Sequence, residues 1–415
     1  MRMKLNKSSQ LVLVAAASFL AASLVTACTQ LTQTLTVDFV YVASARAAGT
    51  NNYGEIDVFE INSESGRMRQ IPTSPFPSGG RNPVAEAVSV DYGSLFVVNE
   101  DDNTVVQFAI GIDGKLYPQN TVNTPGIFPL AIAADKSNLF VVDLYQPLPL
   151  CSNAEPCSGS IGVFSLTPAS GSTPVTIGAL AVNPAVAGQY WPLTLTGANA
   201  GHVIVPTAVD VLASGAYVYV TAYDSSVTPN VGYVFGFAVG SGGVLTPLSG
   251  SPYAAGVKPS AIASDGTSTY VYVTDFTSGN VRGYSVSSGN LTPLSGSPFH
   301  AGNQPSAIVI DPSYPYAYVT NSLDSTVTAY SVSSGALTSI GAYSTGLQPV
   351  AIGIDPSTNH FLYTVDFLGN TVSGFELSTS AGTLLDSQFS PYATSAQPTA
   401  VAAIPHNGTG AGIQP

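Results

Sequence analysis

The sequence predicts an all-β fold built from seven copies of one small unit, and three observations support this prediction. A short strand of aromatic residues and valine recurs seven times along the 415 residues. Its copies lie 44 to 56 residues apart, except for one gap of 78. These strands are apolar on both faces, so each needs a covering neighbour on each side. The copies are FVYVAS (39–44), LFVVNE (95–100), LFVVDL (139–144), YVYVTA (217–222), YVYVTD (270–275), YAYVTN (316–321) and FLYTVD (361–366).

The unit is clearest in residues 242–355, where it occurs twice in succession. A proline opens a strand of small and aliphatic residues (305–311), and the aromatic–valine strand follows it. A third strand comes after a turn rich in Gly, Asn and Ser (370–375), and a fourth comes after Ser-Gly (334–338). Turn residues at every junction indicate four antiparallel strands in each unit.

The two ends of the chain complete one unit between them. The first copy (39–44) is a second strand with no inner strand before it, whereas residues 397–404 form an inner strand with no successor. Units that cannot bury their own faces stack on their neighbours, and seven of them close a ring. The sequence therefore predicts a seven-bladed β-propeller of four-stranded antiparallel blades over residues 38–405, in which the C-terminal inner strand completes blade one. Residues 406–415 are expected to form a flexible tail.

The N-terminus has the features of an export signal. Arg2, Lys4 and Lys7 precede an apolar run from residue 11 to residue 25, and small residues lead to Cys28. This pattern predicts a signal peptide over residues 1–27 and a tether over 28–37. A cysteine at the cleavage point resembles the bacterial lipoprotein lipobox, which implies lipidation of Cys28 and a cell-envelope location, in the outer membrane or at the cell surface or periplasm. An ordinary secretory signal with an incidental cysteine is the alternative.

The other two cysteines and the charge balance agree with export. Cys151 and Cys157 lie in one loop, and an oxidising compartment favours a disulfide between them over a metal pair, since no second Cys or His pair is near. After Cys28 the chain has eight basic residues against 24 acidic ones. Such a surface repels nucleic acid and anionic lipids, so we expect membrane contact only through the lipid anchor.

The gap of 78 residues contains an insertion near 172–204 with the single tryptophan, Trp191. Insertions in propellers form loops that decorate one face. Two roles are open for Trp191: a hydrophobic plug beneath the insertion, or a ring that stacks on a ligand.

The recurring YVTN-like strand, together with SGNLTPLSGSPF and QPSAIVIDP, resembles the YVTN-repeat propellers. These are grouped with lactonase-like proteins such as bacterial phosphogluconolactonase and fungal carboxymuconate cyclase. The resemblance extends over nearly the whole mature chain and implies the propeller fold. It is weaker for activity, because many such propellers have no assigned reaction.

Loops at the channel mouth are where a propeller of this kind binds ligands. When the seven inner strands are aligned, their first positions are predicted to be equivalent. These positions are Glu86, Leu130, Thr207, Ser260, Ser306, Val350 and Thr399. Two residues earlier lie Val84, Phe128, Val205, Lys258, Gln304, Gln348 and Gln397. With Arg81, Asn82, His300 and Asn303 in the same loops, the mouth combines amides and a carboxylate with an apolar arc. This suits a small polar molecule or a glycan, and an envelope protein is a further candidate. Alternatively, each glutamine before a proline only satisfies hydrogen-bonding groups of the loop backbone. We expect a monomer.

A lactonase acting on a non-phosphorylated lactone is the alternative function. The resemblance implies His, Arg and Glu groups in loops, but no family motif matches here residue by residue. Glu86 or His300 are candidates for the base, and Lys258, Arg81 or Arg282 for the group that stabilises the oxyanion. With so few basic residues, a phosphorylated substrate is not expected.

No cofactor is expected. Acidic residues in the loops after the second strands (Glu100, Asp101, Asp102, Asp143, Asp275, Asp324, Asp366) raise the alternative of Ca²⁺, but they lack a calcium-loop spacing. An Asp at a strand end more often caps a turn.

Overall fold

Seven antiparallel sheets make up the described part of the chain, as the sequence predicts. The computed structural model describes residues 37–46, 53–62, 65–148, 151, 154, 156–171, 173–186, 188–356 and 361–405. The predicted signal peptide, Cys28 and the tail lie outside these residues. Among the described residues, no helix has the length and apolar character needed to cross a membrane.

Each blade has four strands in radial order, and in five blades the outermost one is broken into two pieces. From blade one to blade seven, the inner strands are Ala396–Ile404, Pro83–Val88, Ile127–Ala134, Ile204–Val211, Pro259–Ser264, Pro305–Ile310 and Pro349–Ile354. The second strands are Val37–Arg46, Ser94–Asn99, Asn138–Tyr145, Tyr217–Asp224, Tyr270–Asp275, Tyr316–Asn321 and Phe361–Asp366. The third strands are Tyr53–Asn62, Thr104–Ile110, Ser160–Thr167, Val231–Val239, Asn280–Ser287, Thr326–Ser333 and Thr371–Leu377.

The outer strands are the least regular. They comprise Met68–Gln70 with Phe76–Arg81, Leu116–Asn123, Thr176–Leu180 with Trp191–Pro192, Leu245–Pro247 with Tyr253–Ala254, Asn290–Pro293 with Phe299–His300, Ala336–Ser344, and Leu384–Asp386 with Tyr392–Ala393. Short 3₁₀ turns occupy Gly197–Asn199 and Ser241–Gly243.

The ring closes through the last strand of the chain. Ala396–Ile404 pairs antiparallel with Val37–Arg46, with Val42 opposite Val401. Each inner strand contacts the inner strand of the next blade, and Ala396–Ile404 contacts Pro83–Val88 in the same way. The prediction that the C-terminal strand completes blade one is confirmed, and the pairing covers a strand edge that would otherwise be exposed.

The aromatic–valine strands form the core between blades. Their tyrosines at the third position of the copy are fully buried, and in four blades the hydroxyl donates to a carbonyl in the outer turn of the next blade. This bond satisfies a polar atom that burial would otherwise leave unpaired. The pairs are Tyr41–Gly114 (3.1 Å), Tyr219–Gly289 (2.7 Å), Tyr272–Gly335 (2.9 Å) and Tyr318–Gly382 (3.3 Å).

The insertion of blade three packs inward. Trp191 is only 3% exposed and lies in a hydrophobic cluster with Ile161 and Leu193. Of the two roles considered for Trp191, the structure therefore supports the plug. In the preceding loop, Cys151 and Cys157 form a disulfide, which confirms that prediction.

Candidate functional site

The mouth of the channel is defined by strand direction. In most blades the inner-strand proline pairs with the end of the second strand, as Pro259 does with Asp275. The loops that enter the inner strands and those that leave the second strands therefore share one face, which we call the mouth. Turns between inner and second strands lie on the opposite face.

An Asp or Asn at the end of the second strand braces the loop that enters the inner strand. Asp143 Oδ2 accepts a hydrogen bond from the Gly126 amide (2.9 Å), and Asn321 Oδ1 accepts one from the Gly302 amide (2.9 Å). A Cβ on Gly302 would lie 2.6 Å from Asn321 Cγ, so the approach requires glycine. The same close approach recurs in Gly80–Asn99, Gly256–Asp275 and Gly346–Asp366.

The residue before the inner-strand proline is held mainly through its backbone. Five of these residues have positive φ: Asn82, Phe128, Gln304, Gln348 and Gln397. The Gln304 carbonyl accepts from the Ser322 amide (2.9 Å), and the Gln348 carbonyl accepts from the Phe367 amide (2.9 Å). The glutamines thus fix the loop backbone, which was the alternative role considered for them, while their side chains are half-buried at the mouth.

Hydroxyls that follow the proline connect neighbouring blades. Ser260 Oγ donates to the Pro305 carbonyl (2.6 Å), Ser306 Oγ to that of Pro349 (2.7 Å) and Thr399 Oγ1 to that of Pro83 (2.7 Å). Serine and threonine at this position therefore belong to the frame of the ring, because their hydroxyls already donate to protein carbonyls.

The predicted equivalence of Glu86 with these hydroxyl positions is wrong by two residues. Blade two has Pro83 opposite Asn99, so Val84 occupies the position after the proline and Asn82 the position before it. Glu86 instead lies three residues beyond the proline, with both carboxyl oxygens buried. Glu86 and Lys258 are in blades two and five, so the structure does not bring them together.

Of the remaining predicted residues, Arg81 lies in blade one, whereas Arg282 and His300 lie in blade five. Arg81 is exposed and donates through Nε to Asp102 Oδ1 (2.7 Å), which lowers the pKa of Asp102 and stabilises its carboxylate. Arg282 is on the third strand of blade five. His300 ends an outer strand opposite Asn280, at the rim of the mouth and directly before the loop that enters the inner strand of blade six.

Polar side chains also pair with each other within the mouth loops, once near blade two and once near blade six. Asn82 Nδ2 donates to Glu100 Oε2 (2.6 Å), and Asn303 Nδ2 donates to Asp324 Oδ1 (2.8 Å). These carboxylates are therefore engaged by neighbouring amides. Within the described ranges, no group of three or more His, Cys, Asp or Glu side chains is arranged to hold a metal ion.

Lys258 lies in an aromatic sector of the mouth. Its Nζ is 5.3 Å from the ring centre of Tyr223 and 5.7 Å from that of Phe276, so one ammonium lies over rings from blades four and five. Such cation–π contacts are worth about 0.5–2 kcal/mol each, depending on exposure. The sector continues into blade three, where Phe128 contacts Tyr145 edge to face (6.1 Å between centres). Burial, and then Tyr145, raise the pKa of Tyr223.

Blade four adds a His–Asp pair that the sequence analysis missed. His202 Nδ1 is 2.6 Å from Asp224 Oδ2, and Asp224 is only 1% exposed while His202 is 27% exposed. Beside an ionised carboxylate, Nδ1 keeps the proton and Nε2 is the basic nitrogen. The loop is fixed, because Ser158 Oγ donates to the His202 carbonyl (3.1 Å) and the Asp224 carboxylate accepts from the Ser226 amide (2.8 Å).

The pair arises where blade four departs from the repeat. Pro206 of its inner strand is opposite Ala222 rather than an Asp or Asn. The acidic residue is displaced to position 224, where it meets His202 instead of a glycine amide. The missing Asp or Asn at position 222 was the signal in the sequence that could have indicated this site.

Comparison with known proteins confirms the fold that the repeat predicts. Residues 287–402 match the family model described as "Lactonase, 7-bladed beta-propeller". A Bacteroides fragilis protein, provisionally assigned as a 6-phosphogluconolactonase, is 19% identical with a TM-score of 0.69, covering 90% of this chain and 99% of its own. The periplasmic gluconolactonase of Pseudomonas aeruginosa is 17% identical with a TM-score of 0.66, covering 89% and 99%. No curated protein sequence matches.

The chain therefore has the fold of the lactonase-like seven-bladed propellers, and the resemblance inferred from its YVTN-like strands is confirmed. At these identities the structural likeness establishes the fold alone, because one fold supports many activities.

Proposed function

We propose that this chain is an exported envelope propeller that binds a small polar, ring-shaped ligand, such as a sugar or a sugar lactone, at the mouth. The observation that carries the proposal is the position of Lys258 Nζ over the rings of Tyr223 and Phe276. Aromatic faces stack on the apolar face of a sugar ring, and an ammonium donates to its oxygens. A pocket of this kind combines apolar walls with a few polar groups that fix orientation.

The neighbouring blades supply amides for the same ligand. Gln304, Gln348 and Gln397 follow Lys258 around the mouth, and their backbones are fixed by the loop contacts described above. A side chain on a fixed backbone loses less entropy on binding, which favours affinity. Amides donate and accept, as neutral hydroxyl-bearing ligands require. Asn303 is less available, since its amide donates to Asp324.

Hydrolysis of a non-phosphorylated lactone is the second candidate, favoured by the His202–Asp224 pair. Asp224 orients the imidazole, and the basic Nε2 takes a proton from the attacking water. Lys258, on the adjacent blade, would stabilise the oxyanion. The match of residues 287–402 to a lactonase model supports this reaction class. A phosphate group is not expected on the substrate, because Arg81 is engaged by Asp102.

The binding proposal is tested by titrating the purified chain with a panel of sugars, sugar lactones and glycans by calorimetry. Lys258→Met should weaken binding of the best ligand by about tenfold or more, in line with the loss of one partly desolvated cation. Lys136→Met, a matched change in a turn on the opposite face, should leave affinity unchanged. Unaltered affinity in Lys258→Met, or equal losses in both variants, would reject the proposal. Gln304→Ala combined with Gln348→Ala should weaken binding further.

The hydrolase candidate makes a separate prediction. On any lactone that the chain turns over, His202→Gln should lower kcat by about 10²–10⁴, the range of a lost general base, with little change in ligand affinity. His300→Gln, on an outer strand, serves as the control and should have no effect. If the unmodified chain hydrolyses no lactone, the enzyme reading fails while the binding proposal stands.

The proposed location in the cell envelope depends on lipidation of Cys28, a residue that lies outside the described part of the chain. Cys28→Ser should abolish recovery of the chain in the membrane fraction, since the proposed lipid is attached there. Persistence in the membrane fraction would contradict lipidation at this cysteine.

A further inference from the structure

Glu86 occupies a position that is aliphatic in every other blade. Three residues after the inner-strand proline, the side chain packs between neighbouring blades. Strand pairing makes the equivalent residues Ile132, Val209, Ile262, Ile308, Ile352 and Val401. A carboxyl group therefore occupies a position that holds isoleucine or valine in the other six blades.

Both carboxyl oxygens of Glu86 are buried, and the Ala402 amide approaches them without forming a well-aligned hydrogen bond. The Ala402 amide, on the last strand of the chain, is the one nearby group that favours the ionised form. Tyr41 is close, but its hydroxyl donates to the Gly114 carbonyl. An unpartnered carboxylate at such a position is strongly disfavoured, whereas the neutral acid is tolerated far better.

The elements packed against Glu86 contribute little other charge. The flanking inner strands, Ala396–Ile404 and Ile127–Ala134, and the second strand Ser94–Asn99 contain no ionisable side chain. On Val37–Arg46, Tyr41 is the ionisable group beside Glu86, and the Asp113–Lys115 pair lies beyond Tyr41. The third strand of blade one, Tyr53–Asn62, has carboxyl groups but no Lys or Arg. No cation therefore offsets the charge that ionisation would create. Burial accordingly raises the pKa of Glu86 well above its ordinary value.

We propose that Glu86 makes closure of the propeller ring depend on protonation. The junction between blades one and two is tight while the Glu86 carboxyl is neutral, and it loosens as the carboxylate forms and draws water. The element released is the last strand, Ala396–Ile404, which is joined to blade two through non-covalent contacts only. Because Gln397 lies on that strand, loosening also alters the mouth.

The sign of the effect follows from the raised pKa. Below the pKa of an unfolded glutamate, about 4.3, both states are protonated and Glu86 has no effect on stability. Between that value and the folded pKa, ionisation favours the open state about tenfold more with each pH unit. Stability contributed by the neutral junction is therefore lost as pH rises.

Hydrogen exchange of the full chain, compared between variants at equal pH, tests the proposal. The ratio of exchange rates, original chain over Glu86→Gln, should be near one at pH 3.5 for Ala396–Ile404 and should exceed ten by pH 8 to 9 if the folded pKa lies above about 5.5. In Pro305–Ile310, where Ile308 occupies the equivalent position, the ratio should stay near one. Glu376→Gln, the same change on an exposed position, should match the original chain in both segments.

A ratio near one for Ala396–Ile404 across this range would overturn the proposal, as would an equal rise in both segments. If Glu86→Gln fails to fold, the carboxyl carbon of Glu86 in the original chain is followed by NMR. Titration in the ordinary carboxyl range would then overturn it, whereas a late titration that coincides with loss of protection in Ala396–Ile404 would support it. Ile308→Glu should transfer the pH dependence to the junction of blades five and six.

Discussion

Blade six and blade four use the same strand pattern at the mouth, yet they employ their polar residues differently. In blade six, Asn321 braces the Gly302 amide and Ser306 bonds to the next blade. In blade four, the corresponding acidic residue is displaced to Asp224 and bonds to His202. Polar groups that obey the repeat hold the ring together, and those that depart from it are available for a ligand.

This contrast changes how a repeat should be interpreted. A residue that recurs around the ring, such as glutamine before proline, attracts notice because it recurs. Its recurrence here reflects a shared backbone requirement, namely a positive φ and a carbonyl that accepts from the next loop. Lys258 and His202 occur once each, and both lie where the aromatic sector of blades three to five faces the mouth.

The largest expected effect is in the regular sector. Gly302→Ala would place a Cβ 2.6 Å from Asn321 Cγ and 2.7 Å from Asp324 Oδ2, so the loop must move. We expect a loss of about 2–3 kcal/mol in the free energy of unfolding, measured in urea, as for an overpacked site. Gly266→Ala is the control, since nothing lies within 4 Å of its Cβ. Equal stability of the two variants would show that the brace is not required.

A smaller effect is expected where the brace is an aspartate. Burial raises the pKa of Asp143 to about 7 against the opposing effects of Thr124 and the Gly126 amide, and the facing Ser160 Oγ is buried without a partner among the described residues. In Asp143→Asn, the amide oxygen can take the place of Oδ2 and accept from Gly126, and the amide nitrogen can then reach Ser160, as Asn321 Nδ2 reaches Thr326 (3.1 Å). The neutral amide should therefore stabilise the fold by about 2 kcal/mol at pH 8, a conservative conversion of the raised pKa.

The stability difference between Asp143→Asn and the original chain should change with pH in one direction. A carboxyl whose folded pKa is raised destabilises the fold progressively as pH rises from about 4 towards about 7. Urea unfolding at pH 4, 6 and 8 should show no gain for Asp143→Asn at pH 4 and the full gain at pH 8. A constant gain at all three values would mean that packing, rather than ionisation, separates the variants.

Much of the fold was accessible from the sequence, because the period, the turn residues and the proline before each inner strand are all local signals. Blade number, strand order, closure by residues 397–404 and the Cys151–Cys157 disulfide were predicted correctly. The mouth was harder to predict. Lys258 was identified from its position before a proline, but its contacts with Tyr223 and Phe276 depend on two blades meeting. Glu86 was misplaced because a two-residue shift within a strand preserves the face and the apolar pattern.

The smallest expected effect concerns the hydroxyls that connect the blades. Ser306→Ala removes the 2.7 Å bond to the Pro349 carbonyl and should lower the free energy of unfolding by about 1 kcal/mol. Val84 and Val350 occupy the same position in blades two and seven, so the fold accepts an apolar side chain there. Ser333→Ala, on an exposed third-strand position of the same blade, is the matched control. Because the bond belongs to the frame, Ser306→Ala should leave ligand affinity unchanged. A loss of affinity without a loss of stability would instead mean that the Ser306 hydroxyl contacts the ligand rather than connecting the blades.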